Sequence, residues 1–250
     1  MPYSHPQPID KDAALRQVWH LFPGALALAG TAGFINSVAL GFFHAPVSHM
    51  TGAVSHLGLD VAGRRWVDAS AALGIVVGFG IGAALAGMLV GALKLLPGRR
   101  YGVVLMCEGV LLAGATWLLV VQHRLGLPMV AMACGLQNAM TSSYCGLMIR
   151  TTHVTGTVTD IGVMLGHWLR HRQIEWWKLR FLLSVFCAFG VGGVLGALAD
   201  NWLGPVAMGF AAGGCFIAGA VFWLMTHRGL VEMVQSAAVR PPRTGVFPES

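Results

Sequence analysis

HMTGAVSHLG, residues 49–58, and HVTGTVTDIG, residues 153–162, share one pattern, His-x-Thr-Gly-x-Val-Ser/Thr-x-Leu/Ile-Gly. Each is a polar break in apolar surroundings, and the sequence on either side repeats as well. GFINSV from Gly33 lines up with GLQNAM from Gly135, FGIGAALAG from Phe79 with FGVGGVLGA from Phe189, and AGATWLL from Ala113 with AGAVFWL from Ala218. The order is kept along the chain, so it reads as two homologous halves, about 21–122 and about 127–228.

Both halves are built for lipid. Hydrophobic residues make up 56% of the chain and charged residues 10%, with a mean hydropathy of +0.68; soluble domains carry about 25% charged residues. Six segments have the roughly 20 apolar residues that a helix needs to cross a bilayer: Leu21 to Phe43, Ala71 to Leu96, Tyr101 to Gln122, Leu127 to Ile149, Phe181 to Ala199 and Pro205 to Met225. The intervals Val47–Ala62 and Thr152–Leu169, which hold the two motifs, are too short or too polar for full spans. The expected fold is therefore an all-α transmembrane domain over 21–228. It has about six spans arranged as two three-helix repeats, each with a short broken or re-entrant polar segment.

Three spans per repeat place the second half in the membrane upside down relative to the first, the inverted arrangement of many secondary transporters. If both motif segments crossed fully, there would be eight spans and parallel repeats. With the N-terminus inside, six spans put Lys94, Arg99, Arg100, Arg150, Arg170, Arg172, Lys178, Arg180 and Arg228 inside and Arg64, Arg65 and Arg124 outside, which favours the six-span reading.

The net charge of +6 comes from short basic clusters between apolar runs, which fits loops at lipid headgroups and no nucleic-acid partner. Residues 1–20 are polar without a signal-peptide core, and 229–250 read as a disordered tail. Cys107, Cys134, Cys145, Cys187 and Cys215 lie in apolar runs without a CxxC pair and read as small buried hydrophobes. Gly74, Gly78 and Gly82, Gly87 with Gly91, Gly192 with Gly196, and Gly209 with Gly213 recur every four residues, the spacing of close helix seams within a protomer or in a homodimer.

Polar groups at membrane depth are costly and mark function. The repeat pairs Asn36 with Asn138, His49 with His153, Thr51 with Thr155, Gly52 with Gly156 and His56 with Asp160. A Thr-Gly step before a short helix supplies a hydroxyl, free N–H groups and an easily turned backbone, so the two elements read either as half-helix ends that bind an anion or as caps with Thr51 and Thr155 in the N-cap position. The candidate solute site comprises Asn36, His49, Thr51, Gly52, Gln137, Asn138, His153, Thr155, Gly156 and Asp160, with Thr141 on the Gln137 face. Glu108, Asp160, His49 and His153 are the candidate proton carriers. His44, His49 and His56 lack the partners of a metal site, and no nucleophile or acid pair marks an enzyme. No metal or cofactor is expected.

GFINSV, SHMTG, ACGLQNAM and TTHVTGTVTDIG resemble the YoaK-like membrane protein family, also called the domain of unknown function 1275 family, over about Gly24 to Arg228. That resemblance implies a multi-pass protein of the bacterial inner membrane and supplies no settled substrate. Asn36 stands where the family commonly has an Asp, and Ala53 follows Thr51-Gly52 where it has an Asn, which puts the coupling role of the usual acid in question here. The expected function is a small secondary transporter or permease for a small solute, with an anion as one candidate, working by alternating access. An oligomeric channel, an intramembrane enzyme or lipid-handling protein, and a non-transporting scaffold or sensor are the rivals.

Overall fold

The structure, a computed structural model of the chain, describes residues 11–43, 47–90, 99–142, 153–172 and 174–228. The described residues form eight α-helices and no strand: α1 Lys11–Phe43, α2 Met50–Ala62, α3 Trp66–Val90, α4 Arg99–Val120, α5 Gly126–Ser142, α6 Val154–His171, α7 Trp176–Leu203 and α8 Met208–His227. Four stretches are long and apolar enough to cross a membrane: Phe22–Gly41, Trp66–Val90, Arg100–Val120 and the 52-residue Trp176–His227. The last bends at a 3-10 turn, Gly204–Ala207, between α7 and α8. Gly204 makes the bend with φ 58°, a backbone setting that glycine adopts without a Cβ penalty, and Pro205 follows. The outward surface is studded with large apolar side chains, among them Met88, Trp117, Val191 and Phe210. With so few charges, this surface is a lipid-facing one, and the protein is an integral membrane protein.

The helices pair through their glycines. α1 runs beside α7 in the same sense, Phe22 stacking edge-on against Phe181 at one end and Gly41 lying against Asp200 at the other. α3 and α5 also run in one sense, with Gly74 and Gly78 against Pro128 and Gly82 against Met132. α4 and α8 run in opposite senses, Gly102 against Gly219 and Gly109 against Ala212 and Phe216. At Gly33 an added Cβ would collide with the carbonyl of Phe189, and at Gly135 with that of Phe79. Only a missing side chain lets backbones come this close. The Gly74-Gly78-Gly82 and Gly192-Gly196 spacings therefore serve seams inside the protomer, while Gly209 and Gly213 face open space; Gly91 lies outside the described residues.

One cluster joins four helices at the centre, with Ile35 and Val38 of α1, Leu112 and Ala115 of α4, Val130 and Cys134 of α5, and Met208 and Cys215 of α8. Cys134 and Cys215 are buried there as expected, whereas Cys187 is exposed, since α7 turns it outward; Cys145 lies outside the described residues.

Two helices stand apart from this scheme. Among the described residues α2 packs chiefly on α3, antiparallel to it, with Ala53 in one buried cluster with Ile75 of α3 and Ala131 of α5. α6 packs only on α7, loosely, and none of its residues is buried. The helical register of α1 starts at Lys11, ahead of the apolar run, so part of the polar N-terminal segment is helical. The tail 229–250 lies outside the described residues.

Candidate functional site

The most unusual group in the bundle is Glu108. α4 carries it at the middle of the membrane-spanning stretch, one residue before Gly109, where α4 and α8 come into backbone contact. It has 0% of its surface exposed, and among the described residues neither carboxyl oxygen receives an N–H or O–H. Its polar neighbours are the sulfurs of Cys134 on α5 and Cys215 on α8, the latter offering a thiol, a weak donor. An ionised carboxylate so placed lacks both water and a counter-charge, a cost of several kcal/mol. Any charge there must be answered by a proton or a cation.

On α5, three residues beyond Cys134, Gln137 is equally buried. Its Nε2 donates to the Leu28 carbonyl of α1 at 2.9 Å, while Oε1 has no donor. Thr141, one turn further, is buried and donates to the Asn138 carbonyl at 2.9 Å. Cys134, Gln137 and Thr141 thus lie along the buried side of α5, with Glu108 of α4 facing Cys134. Asn138 takes part in an interaction of its own.

Asn36 is also buried, and its Oδ1 accepts a 2.8 Å hydrogen bond from the buried Ser48 hydroxyl. That bond ties the segment entering α2 to the interior of α1. Asn36 and Asn138 do not share a site. α1 and α5 run in opposite senses, since Leu28 meets Gln137 while Ile35 clusters with Val130. At 1.5 Å per residue, the α1 position level with Gln137 is roughly 12 Å from Asn36.

The Thr-Gly elements do open helices, as their sequence requires, but the N-cap residues are His49 and His153, and neither side chain makes a cap hydrogen bond. Thr51 and Thr155 fall two positions too late to cap, and both are exposed. Their carbonyls accept from Ser55 Oγ and Thr159 Oγ1, each at 2.9 Å. His153 folds its ring over Gly156, where any Cβ would collide with it, which accounts locally for the His-x-x-Gly spacing. Gly52 is half-buried. His49 is half-buried with its ring 5.9 Å from that of Phe189, so it reaches α7. Asp160 and His56 are exposed. α2 and α6 do not touch each other, so the described residues do not bring the two motifs into one pocket. His44 lies outside the described residues.

A family model described as "Protein of unknown function (DUF1275)" matches residues 24–221. The chain belongs to this DUF1275 family. The match covers GFINSV, GLQNAM and both His-x-Thr-Gly elements. No curated protein and no solved structure matches the chain.

Two further acids of this DUF1275 protein, the buried Asp60 and the half-buried Asp200, carry no sequence motif. Asp60, near the end of α2, accepts from Arg65 Nε at 2.9 Å and Nη2 at 2.6 Å and fixes the α2–α3 turn, a structural role. Asp200 on α7 holds Oδ1 away from any donor, beside Gly41. Its signal was an acid at the end of an apolar run, facing a glycine that only the fold identifies. A groove of about 750 Å³ lies between α1, α7 and α8, lined almost wholly by apolar side chains such as Leu26, Phe34, Leu195 and Phe210. None of the candidate site residues lines it.

Proposed function

We propose that this protein is a small secondary transporter of a bacterial inner membrane, moving a small solute by alternating access with a proton carried on Glu108. The observation that carries this reading is the buried carboxyl at membrane depth with no N–H, O–H or counter-charge among the described residues, in a bundle that also buries the Gln137 amide with its Oε1 open. Intramembrane acids of this kind mark proton relays, because each protonation change alters the local cost of charge by several kcal/mol. Of the candidate carriers, Glu108 suits the role best; exposed His153 and Asp160 sit on a helix with no buried contact.

In this reading the chain has six spans in two inverted repeats, with the more polar α2 and α6 not crossing. Support comes from the paired seams, Gly33 on Phe189 and Gly135 on Phe79, in which residues matched between the halves exchange partners. The 52-residue apolar stretch divides at Gly204 into two spans, α7 and α8.

The test is proton flux into vesicles of phosphatidylethanolamine and phosphatidylglycerol with an entrapped pH dye and a clamped potential. Panels of amino acids, carboxylates and sugars are added in turn. A solute that starts saturable proton movement in the native protein and not in Glu108→Gln supports the proposal. Flux unchanged by Glu108→Gln removes the carrier role, and ion currents of many charges per second favour a channel instead.

A further inference from the structure

The two halves match in sequence but not in packing, and the mismatches all point one way. On the first side, Ala53 of α2, Ile75 of α3 and Ala131 of α5 form a closed buried cluster. The repeat maps these onto Thr157 of α6, Val185 of α7 and Ala29 of α1. Val185 and Ala29 do cluster, with Phe181 and Ala25, but Thr157 is only half-buried where Ala53 is buried, and α6 stands off with no buried residue. A second asymmetry is independent of the first. α4 lies along α5, the methyl of Met129 reaching Gly114. The matching helices α8 and α1 barely meet, and the groove of about 750 Å³ occupies the place between them, with Ala27, the counterpart of Met129, among its walls.

Where two halves of a bundle match in sequence, the packing seen in one half is an arrangement open to the other, and interfaces of this kind switch between discrete packings. We infer that the structure is one of two states that exchange the roles of the halves. In the other state α8 closes on α1 and removes the groove, α6 docks along α7 with Thr157 beside Val185, and α4 parts from α5 as α2 loosens from α3. The Gly33–Phe189, Gly135–Phe79 and Gly102–Gly219 seams stay fixed, since their backbone contacts leave no room to slide. The inference rests on the inverted-repeat reading above and names the elements that move.

The experiment uses full-length protein with the five native cysteines replaced by alanine, in the same phospholipid vesicles, under catalysed disulfide formation. Ala53→Cys with Ile75→Cys reports the docked α2; Thr157→Cys with Val185→Cys reports the docked α6. Both pairs are expected to cross-link, and in the four-cysteine chain the first bond, once formed, suppresses the second at least tenfold. Complete cross-linking of the first pair with none of the second overturns the exchange and leaves the halves permanently unequal, the first pair serving as the control for folding. Formation of both bonds in one molecule overturns it as well. Proton flux is measured on the native protein in vesicles of the same composition: exchange without flux removes the transport reading alone, and flux without exchange removes this inference alone.

Discussion

A carboxyl group that meets two sulfurs and no amide proton is a liability to stability and is kept for another reason. Glu108→Leu removes the orphaned oxygens, so its thermal midpoint in detergent is expected to equal or exceed the native one while solute-driven proton flux disappears; a collapse of the midpoint would make Glu108 a structural residue. The Asn36–Ser48 bond behaves in the opposite way. Ser48→Ala leaves a buried acceptor without its donor and costs about 1–3 kcal/mol, and Asn36→Leu in the same chain recovers part of that loss, measured by chemical unfolding of the single and double variants. Of these residues the sequence made Asn36, Gln137 and Glu108 visible as polar groups in apolar runs. It could not show that Asn36 takes its partner from the loop before α2, because a contact between residues 36 and 48 depends on how the chain turns back.

Helices carry the next layer of the argument, and their glycines divide into two groups. Gly33 and Gly135 stand where an added Cβ would strike a carbonyl, whereas Gly80 and Gly190 have nothing within 4 Å. Alanine at either of the first two is expected to destabilise by about 1–3 kcal/mol through overpacking, and at either of the second two to be neutral or slightly stabilising, as thermal unfolding in detergent would register. The four-residue spacing was legible in the sequence; which glycine faces a partner was not, since spacing gives a face and not a neighbour. The short α2 and α6 helices were legible too, as polar breaks followed by about a dozen helical residues. Their cap chemistry was misjudged: threonine is a common N-cap, but here the histidine two residues earlier takes the position, and His153 packs on Gly156 instead of bonding to a free N–H.

At the scale of the whole molecule, the apolar composition and the ordered repeat made a helical membrane protein legible before any coordinate. The asymmetry between the halves was not, because two stretches of matched sequence give no sign of which is tightly packed. Six spans and eight spans differ in one readily measured property. With six, Arg124 and Arg228 lie on opposite faces of the membrane; with eight, on the same face. A cysteine at each position, probed with an impermeant maleimide in sealed vesicles, is expected to react from opposite sides.

The cross-paired seams also bear on how the protein is made. α1 leaves the ribosome long before α7, and α3 before α5, yet these are the partners they pack against. Until the second half is inserted, α1 stands in lipid with Gly30 and Gly33 bare. A chain cut in the turn between α4 and α5 should therefore yield a first fragment that is degraded when expressed alone and rescued when the second is made in the same cell, which makes the end of translation the moment of assembly.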